Sequence, residues 1–93
     1  MSETIDALIA TIEDRKVHPR KHSYTCELLA AGPAKILAKV GEEAAEVVVA
    51  GALESNDRLV YETADLFYHL LVMLAAKDIA WADVEQELRR RFK

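Results

Sequence analysis

Cysteine is almost absent from this 93-residue chain, in which Cys26 is the one example. A single cysteine cannot close an intrachain disulfide, and the chain has no CxxC motif for a metal. We therefore interpret Cys26 as a small apolar packing residue. Neither a disulfide framework nor a cysteine-bound metal is expected to hold this protein together.

Long hydrophobic runs and an excess of positive charge are absent as well. No apolar run approaches about 18 residues and no signal-peptide pattern opens the chain, so we expect a cytoplasmic protein without a membrane partner. The formal net charge is -4. A nucleic-acid binder normally presents a basic surface, so nucleic acid is not an expected partner. A phosphorylated small molecule is still compatible, because cations or metal ions can be placed locally.

The composition is that of a globular protein, with 52% hydrophobic and 30% charged residues. We expect a single domain over residues 1–93. A chain of this size buries only about 60–65% of the surface that it exposes when unfolded, so its own core is marginal. Pairing with a second copy would be a natural remedy.

Helical periodicity dominates the chain, and the two prolines and three glycines fall mostly at helix boundaries. The three consecutive valines, Val47 to Val49, are the only strand-like run, and both flanks are helical. The fold class predicted is all-α, a bundle of four to five helices with two long antiparallel helices at its centre. The first predicted helix starts after a cap at Ser2, and a loop at Arg15–His22 follows it. The second and third run from Ser23 to Gly32 and from Pro33 to Leu53. After a turn at Glu54–Asp57, the fourth runs from a cap at Asn56 or Asp57 to about Lys77, and the last runs from Trp81 to about Arg91.

Acidic residues crowd the third predicted helix beside its apolar side. At 100° per residue, the charged residues share one strip about 100° wide, with Glu43 at the border of the apolar side. The strip consists of Lys35, Lys39, Glu42, Glu43 and Glu46. On this helix alone, a solvated face explains the pattern, since Lys39 and Glu43 form an i,i+4 pair worth about 0.2–0.5 kcal/mol.

The fourth predicted helix changes that interpretation. Its apolar residues cover most of the circumference, so we expect it to be buried nearly all round. Glu62, Asp65 and His69 nevertheless share one narrow stripe. Burying an unpaired carboxylate costs several kcal/mol, and Arg58, one turn before Glu62, could neutralise only one of them. Something else must compensate the remaining charge.

A divalent cation would do so. Mg²⁺, with Mn²⁺ as a possible substitute, prefers carboxylate oxygens and keeps waters and phosphates in its shell. The pattern E-x-x-E at Glu43 and Glu46, followed by E-x-x-D at Glu62 and Asp65, is suited to such a site between two helices. A di-iron site fits less well, because it would need a Glu-x-x-His spacing. His69 could serve as a ligand, as a polar partner of a ligand, or in packing.

The segments "SYTCELLAAGPAKILAKVGEEAAEVVVAG" and "VYETADLFYHLLVML" resemble the phosphoribosyl-ATP pyrophosphohydrolase family of histidine biosynthesis, within the MazG-like all-α nucleoside triphosphate pyrophosphatases. The likeness runs from about Ile5 to Arg90. The paired acidic motifs indicate only the wider group. The S-Y-T, K-V-G-E-E-A and A-D-L-x-Y-H-L-L phrases indicate this particular family.

The resemblance implies hydrolysis of the α–β phosphate bond of phosphoribosyl-ATP, giving phosphoribosyl-AMP and pyrophosphate. It also implies Mg²⁺ dependence and a homodimer, which agrees with the marginal core. In many bacteria this activity is fused to a cyclohydrolase domain, but this chain is too short for that, so we expect the free-standing form. The residues that match the family's metal-binding motif are Glu43, Glu46, Glu62 and Asp65. Catalytic roles fall to Glu43 and to Glu42, the latter as a further ligand or as the base that orients water.

Several polar residues are candidates for contact with the substrate phosphates. Lys35 and Lys39 precede Glu43 on the same strip, although pairing within the helix explains them equally well. Cations of the predicted loop could close over the substrate, and the next helix begins with hydroxyl side chains at a terminus suited to phosphate. These candidates are Lys16, Arg20, Lys21 and His22 in the loop, and Ser23 and Thr25 in the helix. Tyr24 between them is interpreted as a packing residue at least as readily.

Two other functions are compatible with these residues. A housekeeping pyrophosphatase of the same superfamily would use the same carboxylates on other nucleoside triphosphates. A non-catalytic helical dimerisation module would leave them solvated. Gly41, inside the third helix, costs up to about 1 kcal/mol relative to alanine. We expect close helix packing or close approach of substrate at that position.

Overall fold

The computed structural model describes residues 2–92, and within that range the chain forms five helices and no strand. This confirms the predicted all-α fold class. The helices are α1 (Glu3–Val17), α2 (Tyr24–Ala31), α3 (Pro33–Leu53), α4 (Asn56–Ala76) and α5 (Trp81–Arg91).

Serine side chains cap three of the helices. Ser2 Oγ accepts a hydrogen bond from the N–H of the third helical residue of α1, and Ser23 and Ser55 do the same for α2 and α4. Each hydroxyl satisfies an amide that has no partner within its helix. The predicted cap of α4, Asn56 or Asp57, is therefore wrong by one or two residues. Ser55 has the extended backbone that a cap needs, and Asn56 is already helical.

Gly32 joins α2 directly to α3. Its φ of +95° lies in the region that side chains with a Cβ rarely adopt, so a glycine is suited to ending α2 there. Pro33 follows as the first residue of α3, where its missing N–H costs nothing. The predicted boundary between these two helices is confirmed.

The first helix is longer than its apolar pattern indicated. It continues to Val17, so the loop predicted to start at Arg15 begins only at His18. The side chain of Lys16 donates to the carbonyl of Ala75, 2.7 Å away, and pairs with the carboxylate of Asp78. Lys16 thus binds the carboxyl end of α4 and is not part of a loop that could close over a substrate.

The two long helices α3 and α4 form the centre of the fold. They are joined by Glu54 and Ser55 alone, so they run antiparallel and in contact along their length. Helices α1 and α2 pack across them. The buried core lies towards the carboxyl half of α4 and consists of Ile12, Leu28, Ile36, Leu71, Val72 and Ala75.

The amino half of α4 is not buried within one chain. Val60 and Tyr61 are 69% and 59% exposed, and on α3 the side chains of Val48 and Leu53 are 69% and 82% exposed. The prediction that α4 is buried nearly all round is therefore wrong for a single chain. Its apolar residues do surround the helix, but α1 and α2 cover only the carboxyl half. The result is a set of exposed apolar side chains on α3 and α4, which we call the apolar surface of these helices.

By length and composition alone, α4 is apolar enough to cross a membrane. The central helix of a bundle satisfies the same criterion, so this signal is weak. The helix also carries Glu62, Asp65 and His69, whose side chains lie close to acidic side chains of α3.

Gly41 lies on an exposed part of α3, and a methyl group there would meet nothing within 4 Å. Close helix packing is therefore not the reason for this glycine within the chain. Approach of a substrate stays a prediction.

Candidate metal centre

Four carboxylates from α3 and α4 meet in one cluster, which we call the carboxylate cluster: Glu43, Glu46, Glu62 and Asp65. Each offers an oxygen, and these four oxygens all lie within 4.8 Å of one another. The i,i+3 spacing puts each pair on one face of its helix, and the antiparallel arrangement turns the two faces together. The structure thus brings together all four residues of the predicted metal motif.

Burial differs across the carboxylate cluster. Glu43 and Glu62 are buried, 4% and 6% exposed, whereas Asp65 is half-buried and Glu46 is exposed. The cluster therefore has a closed side within the bundle and an open side facing solvent. Such an arrangement leaves room for further ligands on one side of an ion.

The buried carboxylate of Glu43 tests whether a cation fits. Its Oε2 atom lies 3.5 Å from Nζ of Lys39, but Oε1 is buried without any hydrogen-bond partner. A buried charged oxygen without a partner is costly, and a divalent cation bound to carboxylates would remove that cost. The donor set consists only of hard oxygens, which suits Mg²⁺ or Mn²⁺ better than softer metals. The residues present fit a divalent metal ion.

Asp65 is affected by the other carboxylates of the cluster that lie close to it. Burial raises the pKa of the Asp65 carboxyl, and the negative charge of the adjacent Glu43 carboxylate raises it further. His69 and Lys39 oppose this pKa shift but do not cancel it. A nearby positive ion would stabilise the ionised form instead.

Cationic side chains offset only part of this charge. Arg58 Nη2 donates to Glu62 Oε2 at 2.6 Å, so Arg58 neutralises one acid, as predicted. Lys39 is shared between Glu42 and Glu43, with Nζ 3.7 and 3.5 Å from their nearest oxygens. Two cations therefore face five carboxylates, and the excess is negative.

A family model described as phosphoribosyl-ATP pyrophosphohydrolase matches residues 5–92. The chain belongs to this phosphoribosyl-ATP pyrophosphohydrolase family. The predicted family is thereby confirmed, and with it the prediction of an enzyme.

Two phosphoribosyl-ATP pyrophosphatases and one bifunctional histidine biosynthesis protein are among the curated proteins similar to this chain. The chain is 53% identical over 95 residues to the phosphoribosyl-ATP pyrophosphatase of Geobacter sulfurreducens, covering 99% of this chain and 88% of that protein. It is 48% identical over 90 residues to that of Geotalea daltonii, covering 97% and 85%. A histidine biosynthesis bifunctional protein of Caldanaerobacter subterraneus is 48% identical over 91 residues, and the chain spans 44% of its length.

Glu42, one of the two predicted catalytic residues, stands apart from the carboxylate cluster. Its side chain is 64% exposed and its nearest cation is Lys39. Since neighbouring residues on a helix point about 100° apart, the side chains of Glu42 and Glu43 cannot occupy the same position at this site. A role as a ligand would require Glu42 to turn towards the cluster, whereas contact with water needs no change.

His69 is the least exposed polar residue at this site, at 2%. An imidazole nitrogen lies within 4.8 Å of Glu43 and Asp65 oxygens. Both ring nitrogens, however, already have partners: Nδ1 lies 2.7 Å from the backbone oxygen of Asp65, and Nε2 lies 3.0 Å from the hydroxyl of Tyr24. The geometry favours the polar-partner interpretation of His69 over direct ligation.

Tyr24 is the residue whose position at the site was not predicted. Burial raises the pKa of its hydroxyl, and the charges that act on that pKa are Lys39, Asp65, Glu43 and Glu42. The hydroxyl therefore lies at the edge of the carboxylate cluster. No local pattern could reveal this, because its partner His69 is 45 residues away.

The other predicted substrate contacts occupy varied positions. Ser23 caps α2, and the Thr25 hydroxyl pairs with that of Tyr68, so both hydroxyls have partners within the chain. Arg20 Nη2 lies 3.6 Å from Asp14, and Lys21 is exposed. A groove of about 380 Å³ adjoins the carboxylate cluster and is lined by Tyr24, Glu27, Leu28, Ala31, Lys35 and Lys39.

Proposed function

We propose that this protein hydrolyses the α–β phosphate bond of phosphoribosyl-ATP to phosphoribosyl-AMP and pyrophosphate, the second step of histidine biosynthesis. Membership of the phosphoribosyl-ATP pyrophosphohydrolase family supports the substrate and the reaction. The observation that carries the chemistry is the carboxylate cluster with the partnerless Oε1 of Glu43. A triphosphate brings about four negative charges, which an acidic site accepts only together with a cation.

We propose Mg²⁺ as that cation, with Mn²⁺ as a substitute, held by Glu43, Glu46, Glu62 and Asp65. When bound, the ion would polarise the phosphorus centre and stabilise the departing pyrophosphate. Buried Glu43 and Glu62 are held by packing on rigid helices, and this fixes the ligand positions. Exposed Glu46 and half-buried Asp65 form the open side, where phosphate oxygens and water can enter.

The other residues of the site divide into those that handle water and those that bind phosphate. The carboxylates of Glu42 and Glu43 are the proposed catalytic groups, and Glu42 accepts a proton from the attacking water as general base. Lys35 and Lys39, which line the groove beside the cluster, bind phosphate oxygens. Arg20, Lys21, Ser23 and Thr25 complete the proposed substrate-binding set.

We propose that the active protein is a cytoplasmic homodimer of single-domain subunits. The exposed apolar surface on α3 and α4, which includes Val48, Leu53, Val60 and Tyr61, supports pairing with a second copy. Exposed apolar side chains in such number are costly in water, and a self-complementary helix pair can cover them.

The test of this function is a substrate panel. Purified protein is incubated with phosphoribosyl-ATP, ATP, dUTP or dCTP, with Mg²⁺ and with a chelator, and pyrophosphate release is measured. Turnover of phosphoribosyl-ATP that requires Mg²⁺ and far exceeds that of the other triphosphates is the expected result. Equal turnover of dUTP or dCTP would point instead to a housekeeping pyrophosphatase. No turnover of any substrate would favour a dimerisation module.

A further inference from the structure

His69 links the first turn of α2 to the backbone of Asp65 through two hydrogen bonds. Its Nε2 atom is 3.0 Å from the Tyr24 hydroxyl, and its Nδ1 atom is 2.7 Å from the backbone oxygen of Asp65. The same Nδ1 lies 3.6 Å from the Asp65 carboxylate. One buried ring thus connects a residue of α2 with the backbone of Asp65, whose carboxylate lies nearby but beyond hydrogen-bond distance.

The partners determine the direction of both hydrogen bonds. A carbonyl oxygen can only accept, so Nδ1 of His69 carries a proton and donates to Asp65. In the neutral ring Nε2 is then the acceptor, and the Tyr24 hydroxyl donates to it. The Asp65 carbonyl therefore fixes the tautomer of His69, and the Tyr24 hydroxyl, by donating to the remaining nitrogen, orients the ring in the way that outer partners orient groups at metal sites.

Aromatic packing restricts the ring to this orientation. The His69 ring meets Tyr24 edge to face, with centroids 5.8 Å apart at 76°, and meets Tyr68 with centroids 5.1 Å apart at 82°. His69 is only 2% exposed, so water has little access to compete for its ring nitrogens. Neither hydrogen bond can be exchanged cheaply for one with solvent.

Another hydrogen bond joins α2 to α4 beside the Tyr24–His69 contact, but it does not involve the carboxylate cluster. The Thr25 hydroxyl pairs with the hydroxyl of Tyr68, one residue along each helix from the Tyr24–His69 contact. Tyr68 is half-buried and makes no hydrogen bond to Asp65. This neighbouring contact fastens α2 to α4 and is a control for attachment alone.

We propose that Tyr24 and His69 are positioning residues: through the backbone oxygen of Asp65 they hold the turn of α4 that carries this carboxylate in place for the metal, and they keep the first turn of α2 in register with it. This inference rests on the proposed function of the carboxylate cluster. A substrate bound against α2 then meets a metal whose ligand is fixed by the same two side chains. Misplacement by about 1 Å at a reacting centre can cost up to roughly 100-fold in rate.

Three substitutions separate the two hydrogen bonds. Tyr24→Phe removes only the hydroxyl. His69→Asn places its amide nitrogen near the position of Nδ1, so it keeps the donor to Asp65 and loses the acceptor for Tyr24. His69→Gln places its amide near Nε2, so it keeps a partner for Tyr24 and loses the donor to Asp65.

Each hydrogen bond has its own expected readout. We expect His69→Gln to weaken Mn²⁺ affinity roughly 10-fold, as is typical when the partner of a metal ligand is lost. His69→Asn and Tyr24→Phe should leave Mn²⁺ affinity within about twofold but lower kcat roughly 10-fold, with little change in KM. The double variant of these last two should be no slower than either alone, because both remove one contact.

The imidazole nitrogens give a readout that needs neither metal nor substrate. In ¹⁵N-labelled protein without metal, His69 should show a protonated Nδ1 and an acceptor Nε2, identified by their loss in His69→Asn. Tyr24→Phe should shift the Nε2 resonance and leave Nδ1 protonated. A His69 protonated at Nε2 in the wild type would overturn the proposal.

Tyr68→Phe is the matched control, since it removes a hydroxyl that joins the same helices. It should lower the melting temperature about as much as Tyr24→Phe and leave kcat within about twofold. An equal loss of kcat in both variants would show that attachment of α2 matters and that Tyr24 has no special role. Tyr24→Phe with wild-type kcat would also contradict the proposal. If the wild type does not hydrolyse phosphoribosyl-ATP, the proposed function fails, whereas the Mn²⁺ and ¹⁵N results still decide the roles of Tyr24 and His69.

Discussion

Arg58 precedes Glu62 by one turn of α4, and its guanidinium contacts the buried Glu62 carboxylate, with Nη2 and Oε2 2.6 Å apart. The arginine is half exposed, whereas the glutamate side chain is 7% exposed. The pair thus brings a solvent-facing cation to a carboxylate inside the bundle. The guanidinium of Arg58 also packs over the ring of Tyr61, with its Cζ atom 4.6 Å from the ring centroid.

Replacing Arg58 by methionine should destabilise the metal-free protein by about 1–2 kcal/mol. The substitution leaves Glu62 buried without its hydrogen-bond partner, and exposure of the arginine keeps the loss below that of a fully buried pair. Urea denaturation monitored by circular dichroism measures the change. Arg90→Met is the control, because Arg90 pairs with Glu87 at the surface and should cost at most about 0.5 kcal/mol. Equal effects of the two substitutions would contradict the buried role of Glu62.

Replacing Glu43 by glutamine should separate stability from metal binding. The neutral amide removes repulsion with Asp65, so the metal-free variant should be more stable than the wild type by up to about 1 kcal/mol. The same change should abolish Mg²⁺ binding in calorimetric titration and the increase in melting temperature that Mg²⁺ gives the wild type. Glu85→Gln, on α5 away from the carboxylate cluster, should keep both properties. A Glu43→Gln variant that is still stabilised by Mg²⁺ would exclude Glu43 as a ligand.

The raised pKa of Asp65 makes the stability of the metal-free protein depend on pH. A carboxyl whose pKa is higher in the folded than in the unfolded state holds its proton more tightly when folded. Its contribution is therefore fully present below the ordinary value of 3.8 and is lost as the pH rises through the higher folded pKa. Melting temperatures of the wild type and of Asp65→Asn, measured without metal from pH 4 to 7, should converge at the acidic end. At neutral pH the variant should be the more stable of the two, and a constant difference across this range would refute the prediction.

Replacing Val60 by glutamate should dissociate the proposed dimer. Val60 is 69% exposed in one chain and lies in the apolar surface of α3 and α4. A carboxylate buried there by the second copy would be left without a partner. Sedimentation velocity should show monomers for this variant and dimers for the wild type. Val17→Glu makes the same chemical change at a 66% exposed valine on α1 and should remain dimeric. Monomers in the wild type at micromolar concentration would contradict the proposed assembly.

The carboxylate cluster could be predicted because it depends only on residues that lie close together in the sequence. Two i,i+3 acidic pairs on consecutive helices, joined by a short turn, can meet only if the helices are antiparallel, and the turn at Glu54 and Ser55 makes them so. Gly32 and Pro33 similarly fix a helix boundary through their own backbone preferences.

The contacts of Tyr24 and Lys16 could not be predicted, because each depends on a partner far along the chain. Tyr24 meets His69 and Lys16 meets the end of α4 only once α1, α2 and α4 have packed. The burial of α4 was overestimated for a different reason. Hydrophobic periodicity shows which side chains need cover, but it does not show whether the same chain or a second copy provides it.

The short connection between α3 and α4 has a consequence for the order of folding. All four carboxylates of the cluster lie within residues 43–65, inside one helical hairpin. Bringing them together requires closure of a short loop, so the entropic cost is small and the contacts are local in sequence. The carboxylate cluster can therefore assemble as soon as this hairpin forms, before α1 and α5 have packed. A divalent cation present at that moment would favour the hairpin and speed refolding, in addition to stabilising the finished fold.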